Sequence, residues 1–201
     1  MGYTSFTKEK IQAMLDMYDV KSIIDLGAQN DYGQPSLPAP YISEWYKEKK
    51  IKYESIDLSG ENNCLKFDLS IPIIFYWEME LHKYKLVVDA GTSEHIGRDG
   101  KFCWEAIYNC WKNKFDLLEI GGIMYSENPK YGNWPGHGFN YYTFQFYLDL
   151  SKISGLSIIG FGEHAAMGNV TDGWNIWCTM IKMDEDFPSL EQFRQLDLRQ
   201  S

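Results

Sequence analysis

Short apolar runs that each lead into an aspartate constrain the fold of this chain more than any other feature of its sequence. The first run lies in Ser22 to Gly33, S-I-I-D-L-G-A-Q-N-D-Y-G, where two isoleucines lead into Asp25 and Gly27. Three later stretches also lead into an aspartate. K-Y-E-S-I-D-L, which only alternates weakly, contains Asp57, C-L-K-F-D-L contains Asp68, and K-L-V-V-D-A-G, the clearest buried strand, contains Asp89. Such runs are typical of strands buried in a parallel sheet, whose carboxyl ends form the ligand-binding edge. For any one run alone, a strand that simply ends in a turn is the alternative.

Helix-length or loop segments separate these strands. From Thr7 to Tyr18 the apolar residues recur at i, i+3, i+4 and i+7, which predicts a helix with Thr7 as its N-cap. Further helices are predicted after Pro40, from Ile73 to Leu81, from Gly100 to Lys114 and from Asn140 to Ser154. Alternating strands and helices predict a parallel sheet with right-handed crossovers, which place the strand ends along one edge. We therefore expect the four aspartates to line one crevice.

The second half of the sequence predicts the remaining strands. Leu117 to Asn128 indicates a turn at Gly121-Gly122 and a fifth strand. Leu156 to Phe161 and Trp174 to Met183 are the last two strands, and their short connection without a helix pattern predicts an antiparallel pair. The predicted fold class is α/β: a single-domain, doubly wound, mostly parallel seven-stranded sheet with an antiparallel last strand pair and helices on both faces. The domain spans residues 1–201, with an N-terminal helix within 1–20 and a C-terminal tail at 184–201, in which Pro188 to Ser201 forms one helix or frays.

Composition and charge limit the possible partners. With 201 residues, 44% of them hydrophobic, the chain can bury the core of one domain. Its net charge of −9 repels phosphate backbones and anionic lipids, so neither nucleic acid nor a membrane is predicted as a partner. The one basic cluster, Lys47 to Lys52, is interpreted as the solvated end of a helix. No apolar leader region and no apolar run of bilayer length is present in the sequence.

The cysteines and histidines are scattered along the chain. Cys64, Cys103, Cys110 and Cys178 form no C-x-x-C pair, which fits neither a zinc site nor a disulfide framework. Reduced thiols and a cytoplasmic location are therefore predicted. The histidines are far apart and none has ligand spacing, so no metal site is predicted. The sequence carries no signal for the oligomeric state.

Five strand motifs occur in a fixed order between Ile23 and Glu127. They are I-I-D-L-G-A-Q-N, Y-E-S-I-D-L, C-L-K-F-D-L, L-V-V-D-A-G-T-S-E-H-I and L-L-E-I-G-G-I-M. Together they resemble the motifs of the class I, Rossmann-like S-adenosylmethionine-dependent methyltransferases, and a more general likeness extends through the closing strands. The resemblance implies that the cofactor is S-adenosylmethionine.

The resemblance also implies a role for each residue at the predicted sheet edge. The acid and the glycine of the first motif hold the amino-acid part of the cofactor, Asp57 accepts both ribose hydroxyls, and Asp68 with Leu69 meets the adenine. The segment from Asp89 to Thr92 forms the floor beneath the sulfonium. A cationic sulfonium is attracted by carboxylates, whereas the pyrophosphate of a dinucleotide is repelled. The full implied cofactor set is Asp25, Leu26, Gly27, Ala28, Gln29, Asp57, Leu58, Asp68, Leu69, Asp89, Ala90, Gly91 and Thr92.

The first loop departs from the family pattern. The family has two or three closely spaced glycines there, whereas this chain has G-A-Q-N-D-Y-G and a proline-rich extension. Some small-molecule and sugar methyltransferases have a similar Gly-x-Gln sequence. The loop also fails the pattern G-x-G-x-x-G, which disfavours the alternative of a nicotinamide-dependent oxidoreductase. A further alternative is a non-catalytic protein that keeps the fold and binds the cofactor or a partner.

Methyl transfer needs an aligned acceptor and, for a hydroxyl acceptor, a way to remove its proton. Glu94 and His95 follow the fourth strand, where the methyl group should emerge, and His137 lies in the loop W-P-G-H-G-F-N on the acceptor side. These three are the predicted catalytic residues, although each can instead be structural, and His164 is a weaker candidate. Trp134, Phe139, Tyr141 and Tyr142 either wall an acceptor pocket or belong to the core.

The predicted function is methyl transfer from S-adenosylmethionine to an O or N atom of a small molecule, such as a sugar or another metabolite. The chain lacks the Asn/Asp-Pro-Pro-Tyr/Phe signature with which nucleic-acid amino-methyltransferases stack a flipped base. Together with the acidic charge, this argues against a nucleic-acid substrate.

Overall fold

A seven-stranded sheet forms the centre of this computed structural model, which describes residues 2–33, 40–75, 83–165 and 173–200. The strands are β1 (Gly2–Tyr3), β2 (Ser22–Leu26), β3 (Asn30–Asp31), β4 (Lys52–Asp57), β5 (Leu65–Lys66), β6 (Tyr84–Ala90), β7 (Leu118–Pro129), β8 (Asn140–Tyr141), β9 (Leu156–Ala165), β10 (Trp174–Lys182) and β11 (Arg199–Gln200). The helices are α1 (Ser5–Met17), α2 (Ile42–Glu48), α3 (Trp104–Leu117), α4 (Phe144–Ile153) and α5 (Leu190–Phe193). Single 3-10 turns lie at Glu61–Asn63, Ile73–Phe75 and Ser93–His95.

The strands of the central sheet lie in the order β5-β4-β2-β6-β7-β10-β9. The first five are parallel to one another, and β10 is antiparallel to both of its neighbours. The chain moves outward from β2 to β4 and β5 and then returns to place β6 on the other side of β2. This reversal creates a crevice at the carboxyl ends of β2 and β6. The predicted α/β fold class is confirmed.

Helices pack on both faces of the sheet because strand side chains alternate between the two faces. On one face, Ile23 and Leu86 belong to the same buried cluster as Ile11 of α1. On the other face, Ile24 is buried in a cluster with Trp111 of α3. Neighbouring residues of β2 therefore contact opposite helix layers, and this alternation decides which strand-end side chains can reach the crevice.

The N-terminal helix begins earlier than its apolar spacing predicts. Thr4, not Thr7, is the N-cap of α1, and its hydroxyl oxygen accepts a hydrogen bond from the Thr7 backbone amide at 3.2 Å. The Thr7 hydroxyl oxygen accepts one in return from the Thr4 amide at 3.2 Å. The predicted N-cap is wrong because this reciprocal cap starts the helix one turn before the apolar stripe.

Two other helices begin later than predicted. α3 starts at Trp104 because Asp99 and Gly100 form a tight turn with positive φ values of 52° and 70°. α4 starts after Thr143, whose hydroxyl oxygen accepts a hydrogen bond from the Phe146 amide at 3.0 Å. The residues before it form β8, which pairs with β11, so the C-terminal tail contains a short helix and a strand instead of one helix.

The turn predicted at Gly121-Gly122 is an irregularity inside β7 and does not precede the strand, because β7 runs from Leu118 to Pro129. Gly121 has a φ of 75°, and the pairing of β6 with β7 shifts register between Tyr84 and Leu86. A bulge with a glycine at positive φ accommodates the extra length of β7.

Three further predictions concern the second strand region, the cysteines and the membrane. Of the strand predicted at Cys64 to Leu69, only β5 (Leu65–Lys66) forms. Of the helix predicted at Ile73 to Leu81, Ile73–Phe75 form a 3-10 turn, and the rest lies outside the described residues. All four cysteines are free. Among the described residues, no helix combines the length and the apolar character needed to cross a bilayer. The cytoplasmic location stays a prediction.

Candidate cofactor and acceptor site

A cavity of about 390 Å³ opens at the carboxyl ends of β2, β4, β5 and β6. This is the position at which open α/β sheets bind ligands. The predicted site residues that line it are Gly27, Ala28, Gln29, Asp57, Leu58, Asp68, Leu69, Gly91, Thr92 and His95. Ile56, Phe67, Ser70, Ile96 and Gly97 also line it, and none of them was among the predicted site residues.

Asp57 places a charged acceptor at the end of β4. Its carboxylate accepts hydrogen bonds from the backbone amides of Ala28 at 3.0 Å and Ser59 at 2.7 Å. Partial burial raises the pKa of Asp57, but the hydrogen bonds from Ser59 and Ala28 outweigh it and lower the pKa below its ordinary value. The carboxylate is therefore ionised at neutral pH. The next residue, Leu58, leaves 67% of its surface exposed.

Gln29 fills the first loop where the family has further glycines. Its side-chain amide donates hydrogen bonds to the Leu26 carbonyl at 2.7 Å and to the Thr92 hydroxyl at 2.9 Å, which joins the ends of β2 and β6. Gly27 has a φ of 91°, and a Cβ at this position would lie 2.6 Å from both Gln29 Nε2 and Thr92 Oγ1. The Gly-x-Gln sequence is therefore a packing unit. Within the described part of the chain, the buried Gln29 Oε1 has no hydrogen-bond partner.

Asp25 does not reach the cavity. It shares a face of β2 with Ile23 and is fully buried, where Tyr3 donates a hydrogen bond to Oδ1 at 2.6 Å and Tyr53 donates one to Oδ2 at 2.9 Å. Burial raises the pKa of Asp25 to about 8, although the two tyrosine hydrogen bonds act in the opposite direction. The next residue, Leu26, is also buried and meets the loop through its carbonyl.

Asp89 is buried on the opposite face of the sheet from Asp25. Its Oδ2 lies 2.6 Å from the buried Lys114 ammonium and accepts hydrogen bonds from the hydroxyls of Ser93 at 2.6 Å and Ser126 at 3.0 Å. Burial raises the pKa of Asp89, but Lys114 and Ser93 outweigh it and lower the pKa below its ordinary value. Ala90, beside it, is buried as well.

The expectation that all four aspartates line one crevice is therefore wrong for Asp25 and Asp89. The alternation of side chains sends these two into opposite helix layers, because each lies inside its strand and not beyond its end. Asp57 and Asp68, which lie at or beyond the ends of the short strands β4 and β5, do line the cavity.

The three predicted catalytic residues meet beside this cavity, and we call them the Glu94 cluster. Glu94 Oε1 lies 3.6 Å from His95 Nε2 and 3.9 Å from His137 Nε2. Burial raises the pKa of Glu94 well above its ordinary value, and burial likewise lowers the pKa of both histidines. The sequence predicted no metal site, yet the fold brings together three potential metal ligands whose donor atoms lie within 4.8 Å of one another.

A second cavity of about 540 Å³ adjoins the Glu94 cluster at His137. His95 lines the first cavity and His137 lines the second. The residues of the second cavity are Gly100, Lys101, Phe102, Gly136, His137, Gly138, Phe139 and Gln200. Of the aromatic residues considered for an acceptor pocket, Phe139 lines this cavity, whereas Tyr142 is buried in the core cluster.

His164 is separate from both cavities. Its Nε2 lies 2.9 Å from Glu127 Oε1, and its ring stacks on Phe6 of α1 with a centroid separation of 3.8 Å. Glu127 also accepts hydrogen bonds from the hydroxyls of Thr7 at 2.9 Å and Tyr125 at 2.6 Å. These contacts attach α1 to the sheet, so we interpret His164 as structural.

Comparison with known proteins gives matches at the level of structure. No family model matches the sequence, and no curated protein sequence matches it significantly. A Burkholderia thailandensis 1,6-didemethyltoxoflavin-N1-methyltransferase, solved with 1,6-didemethyltoxoflavin and S-adenosylhomocysteine, superimposes with a TM-score of 0.60 at 11% identity over 88% of this chain and 77% of its own. This chain has the class I methyltransferase fold.

Two further structures support the same fold. The N-methyltransferase NodS from Bradyrhizobium japonicum WM9, in complex with S-adenosylhomocysteine, has a TM-score of 0.56 at 10% identity over 90% of this chain and 89% of its own. A S-adenosylmethionine-dependent methyltransferase from Methanosarcina mazei has a TM-score of 0.60 at 12% identity over 91% of this chain and 99% of its own. The resemblance predicted from the five motifs is confirmed as a class I methyltransferase fold.

Proposed function

We propose that this protein is a S-adenosylmethionine-dependent methyltransferase that acts on a small molecule. The proposal depends above all on the position of the first cavity, which lies at the switch point of a class I methyltransferase fold between ionised Asp57 and the Glu94 cluster. Solved proteins with this fold hold S-adenosylhomocysteine. When bound, the cofactor supplies the electrophilic methyl group.

The residues of the first cavity fit this cofactor. Asp57 is an ionised acceptor, which suits the two ribose hydroxyls. The exposed face of Leu58, with Asp68 and Leu69, suits the adenine, because an apolar side chain can pack on the ring while a carboxylate accepts from its amino group. Gln29 Oε1 is buried and without a partner among the described residues, which suits the cofactor's ammonium as a donor.

The ends of β2 and β6 complete the proposed cofactor site. Gly91 and Thr92 would lie beneath the sulfonium, and Gly27 lines the cavity where the amino-acid part would bind. In this arrangement Asp25 and Asp89 do not contact the cofactor and act as supports of the two strand ends.

The Glu94 cluster defines the acceptor end of the proposed site. His95 faces the first cavity and His137 the second, so an acceptor in the second cavity would meet the methyl group at the cluster. We propose that the cluster orients and activates an O or N atom of this acceptor. The net charge of −9 favours a small acceptor over a nucleic acid, whose phosphates it would repel.

Calorimetric titration with S-adenosylhomocysteine, NAD and ATP tests the proposal. We expect S-adenosylhomocysteine to bind and Asp57→Asn to weaken it by about 100-fold, because two hydrogen bonds to a charged group at about 1.5 kcal/mol each are weakened. Asp19→Asn, at an exposed carboxylate paired with Lys21, is the matched control and should bind like the wild type. Binding of NAD alone would overturn the proposal in favour of an oxidoreductase.

Turnover separates an enzyme from a non-catalytic binder. The measurement is release of S-adenosylhomocysteine from S-adenosylmethionine in the presence of a panel of hydroxylated and amino-containing small molecules. We expect turnover with an acceptor that fits the second cavity and its loss in His137→Ala. Tight cofactor binding without turnover across such a panel would favour the binder.

A further inference from the structure

We propose that the Glu94 cluster is a binding site for a divalent transition-metal ion, with Zn²⁺ as the ion that fits best. The inference rests on the proposed function, because it gives the cluster its role at the acceptor end of the methyltransferase site. It departs from the expectation, drawn from the sequence, that the chain has no metal site.

The donor atoms are spaced for an ion between them and not for direct hydrogen bonds. The distances from Glu94 Oε1 to His95 Nε2 and His137 Nε2 are 3.6 Å and 3.9 Å, which exceed hydrogen-bond length. Bonds of about 2.1 Å from Zn²⁺ to nitrogen and oxygen, arranged tetrahedrally, separate the ligand atoms by about 3.4 Å. All three donor atoms lie within 4.8 Å of one another, so side-chain movements of about 1 Å bring them to the separations of one tetrahedral ion.

Burial provides an independent reason for a cation at this point. The Glu94 side chain is fully buried, and neither of its oxygens has a hydrogen-bond partner among the residues that the structure describes. His137 Nε2 is also buried without a partner there. A buried polar atom without a partner is costly, so such atoms normally face a ligand, an ion or a water molecule. An ion bound by the cluster would satisfy a Glu94 oxygen and His137 Nε2 together.

The fold positions the ligands before any ion binds. Glu94 and His95 lie on a single 3-10 turn, and the Glu94 carbonyl accepts hydrogen bonds from the Phe139 amide at 2.7 Å and from Asn140 Nδ2 at 3.2 Å. These bonds hold the loop that carries His137 against the turn. A Cβ at Gly138 would lie 2.7 Å from the Glu94 carbonyl oxygen, so only glycine permits this close approach.

Two histidines and one carboxylate are a ligand set typical of catalytic metal centres, which keep an open position for water or substrate. One carboxylate and two neutral imidazoles leave a divalent ion with one excess positive charge, which favours an anionic fourth ligand. A deprotonated acceptor hydroxyl is such a ligand, since a bound cation lowers the pKa of a coordinated O–H group.

The resulting transfer step is balanced without any further reagent. The acceptor O–H bond breaks and its proton passes to solvent water. The metal-bound oxygen then forms a bond to the methyl carbon, and the C–S bond breaks with its electron pair remaining on sulfur. Neutral S-adenosylhomocysteine and the methylated acceptor leave the site.

Metal titration of tag-free protein tests the inference, with Co²⁺ as the spectroscopic probe and Zn²⁺ as its competitor. We expect about one Co²⁺ per chain with the visible absorption of a four-coordinate site, and its displacement by Zn²⁺. Glu94→Gln, His95→Ala and His137→Ala should each weaken Co²⁺ binding by more than about tenfold. His164→Gln is the matched control, because this histidine lies outside the cluster and should leave the titration unchanged.

His95→Ala is the variant least expected to disturb folding, whereas Glu94→Gln replaces a fully buried side chain. His95 is exposed for 43% of its side chain, so its replacement should leave the circular dichroism spectrum unchanged. Wild-type protein that binds S-adenosylhomocysteine but neither Co²⁺ nor Zn²⁺ would overturn the inference and leave the proposed function intact. Metal binding that survives in folded His95→Ala and His137→Ala would also overturn it. Failure to bind S-adenosylhomocysteine would instead count against the proposed function.

Discussion

Replacing Asp25 by asparagine should remove a pH dependence of stability that the wild-type protein is expected to show. The carboxyl group is fully buried among Tyr3, Tyr46 and Tyr53, and burial raises its pKa from 3.8 to about 8. The folded chain therefore keeps a proton that the unfolded chain releases. The contribution of Asp25 is fully present below the unfolded pKa and is lost as the pH rises through the folded pKa.

The size of the effect follows from the shift. Between the two pKa values, one bound proton changes the free energy of unfolding by about 1.4 kcal/mol per pH unit. Over the three units from about pH 5 to about pH 8, the wild type should lose about 4 kcal/mol of stability through this group. Asp25→Asn carries no proton to lose, and its amide can still donate to one tyrosine and accept from the other.

The assay is urea denaturation at a series of pH values, followed by tryptophan fluorescence. The informative quantity is the difference in unfolding free energy between wild type and Asp25→Asn, because other titrating groups contribute equally to both. Parallel stability curves would refute the reasoning, since they would show that Asp25 does not titrate in this range. Asp25→Asn should also retain S-adenosylhomocysteine affinity, and a loss comparable with that of Asp57→Asn would place Asp25 at the cofactor after all.

Two further predictions concern residues that support the cavity. Lys114→Met should lower the unfolding free energy by about 3 to 5 kcal/mol in urea titrations, because it leaves Asp89 buried without its cation, and combination with Asp89→Asn should recover much of the loss. A double variant no more stable than Lys114→Met would contradict this account. Gln29→Ala should weaken S-adenosylhomocysteine binding by about tenfold in calorimetry, because it removes both the acceptor and the brace between the strand ends. Gln29→Glu keeps an acceptor oxygen and serves as the comparison variant. If Gln29→Ala bound S-adenosylhomocysteine as tightly as the wild type, Gln29 would not belong to the cofactor site.

The sheet could be predicted from the sequence because its signals are local. The runs that became β2 and β6 are apolar, whereas the run that became β4 only alternates weakly, and all three end near an aspartate. The short connection after β9 predicted an antiparallel partner, and β10 pairs in this way with both neighbours. Helix starts were less predictable because they depend on caps such as those of Thr4 and Thr143, which lie outside the apolar stripes.

The alternation of side chains along β2 and β6 indicates which acids are buried, and the comparison of motifs did not use it. In S-I-I-D-L, the period of two places Asp25 on the same face as Ile23, which is a buried face. The same alternation separates Asp89 from Val88 and turns it toward α3. Counting faces along each strand would have predicted burial, whereas the order of the motifs alone suggested a common crevice.

The Glu94 cluster had no comparable signal in the sequence. Glu94 and His137 are far apart along the chain, and they meet where the Glu94 carbonyl accepts hydrogen bonds from the Phe139 amide and Asn140 Nδ2. The spacing rules for metal ligands describe helices and short loops, so they do not detect ligands that a tertiary contact assembles. The role of Gln29 was equally hidden, because its partners are the Leu26 carbonyl on β2 and the Thr92 hydroxyl in the loop after β6.

The hydrogen bonds to Asp89 hold the turn that carries Glu94 and His95, and they do not involve the walls of the second cavity. Asp89 Oδ1 accepts from the amides of Thr92 and Ser93 at 3.1 Å each, so the turn that begins there is anchored in the interior of the sheet. The walls of the second cavity come instead from surface loops and from the C-terminal strand. Under the proposed function, substitutions of Lys101, Phe102 or Gln200 in those walls should change which molecule is accepted, while Glu94, His95 and His137 keep their positions.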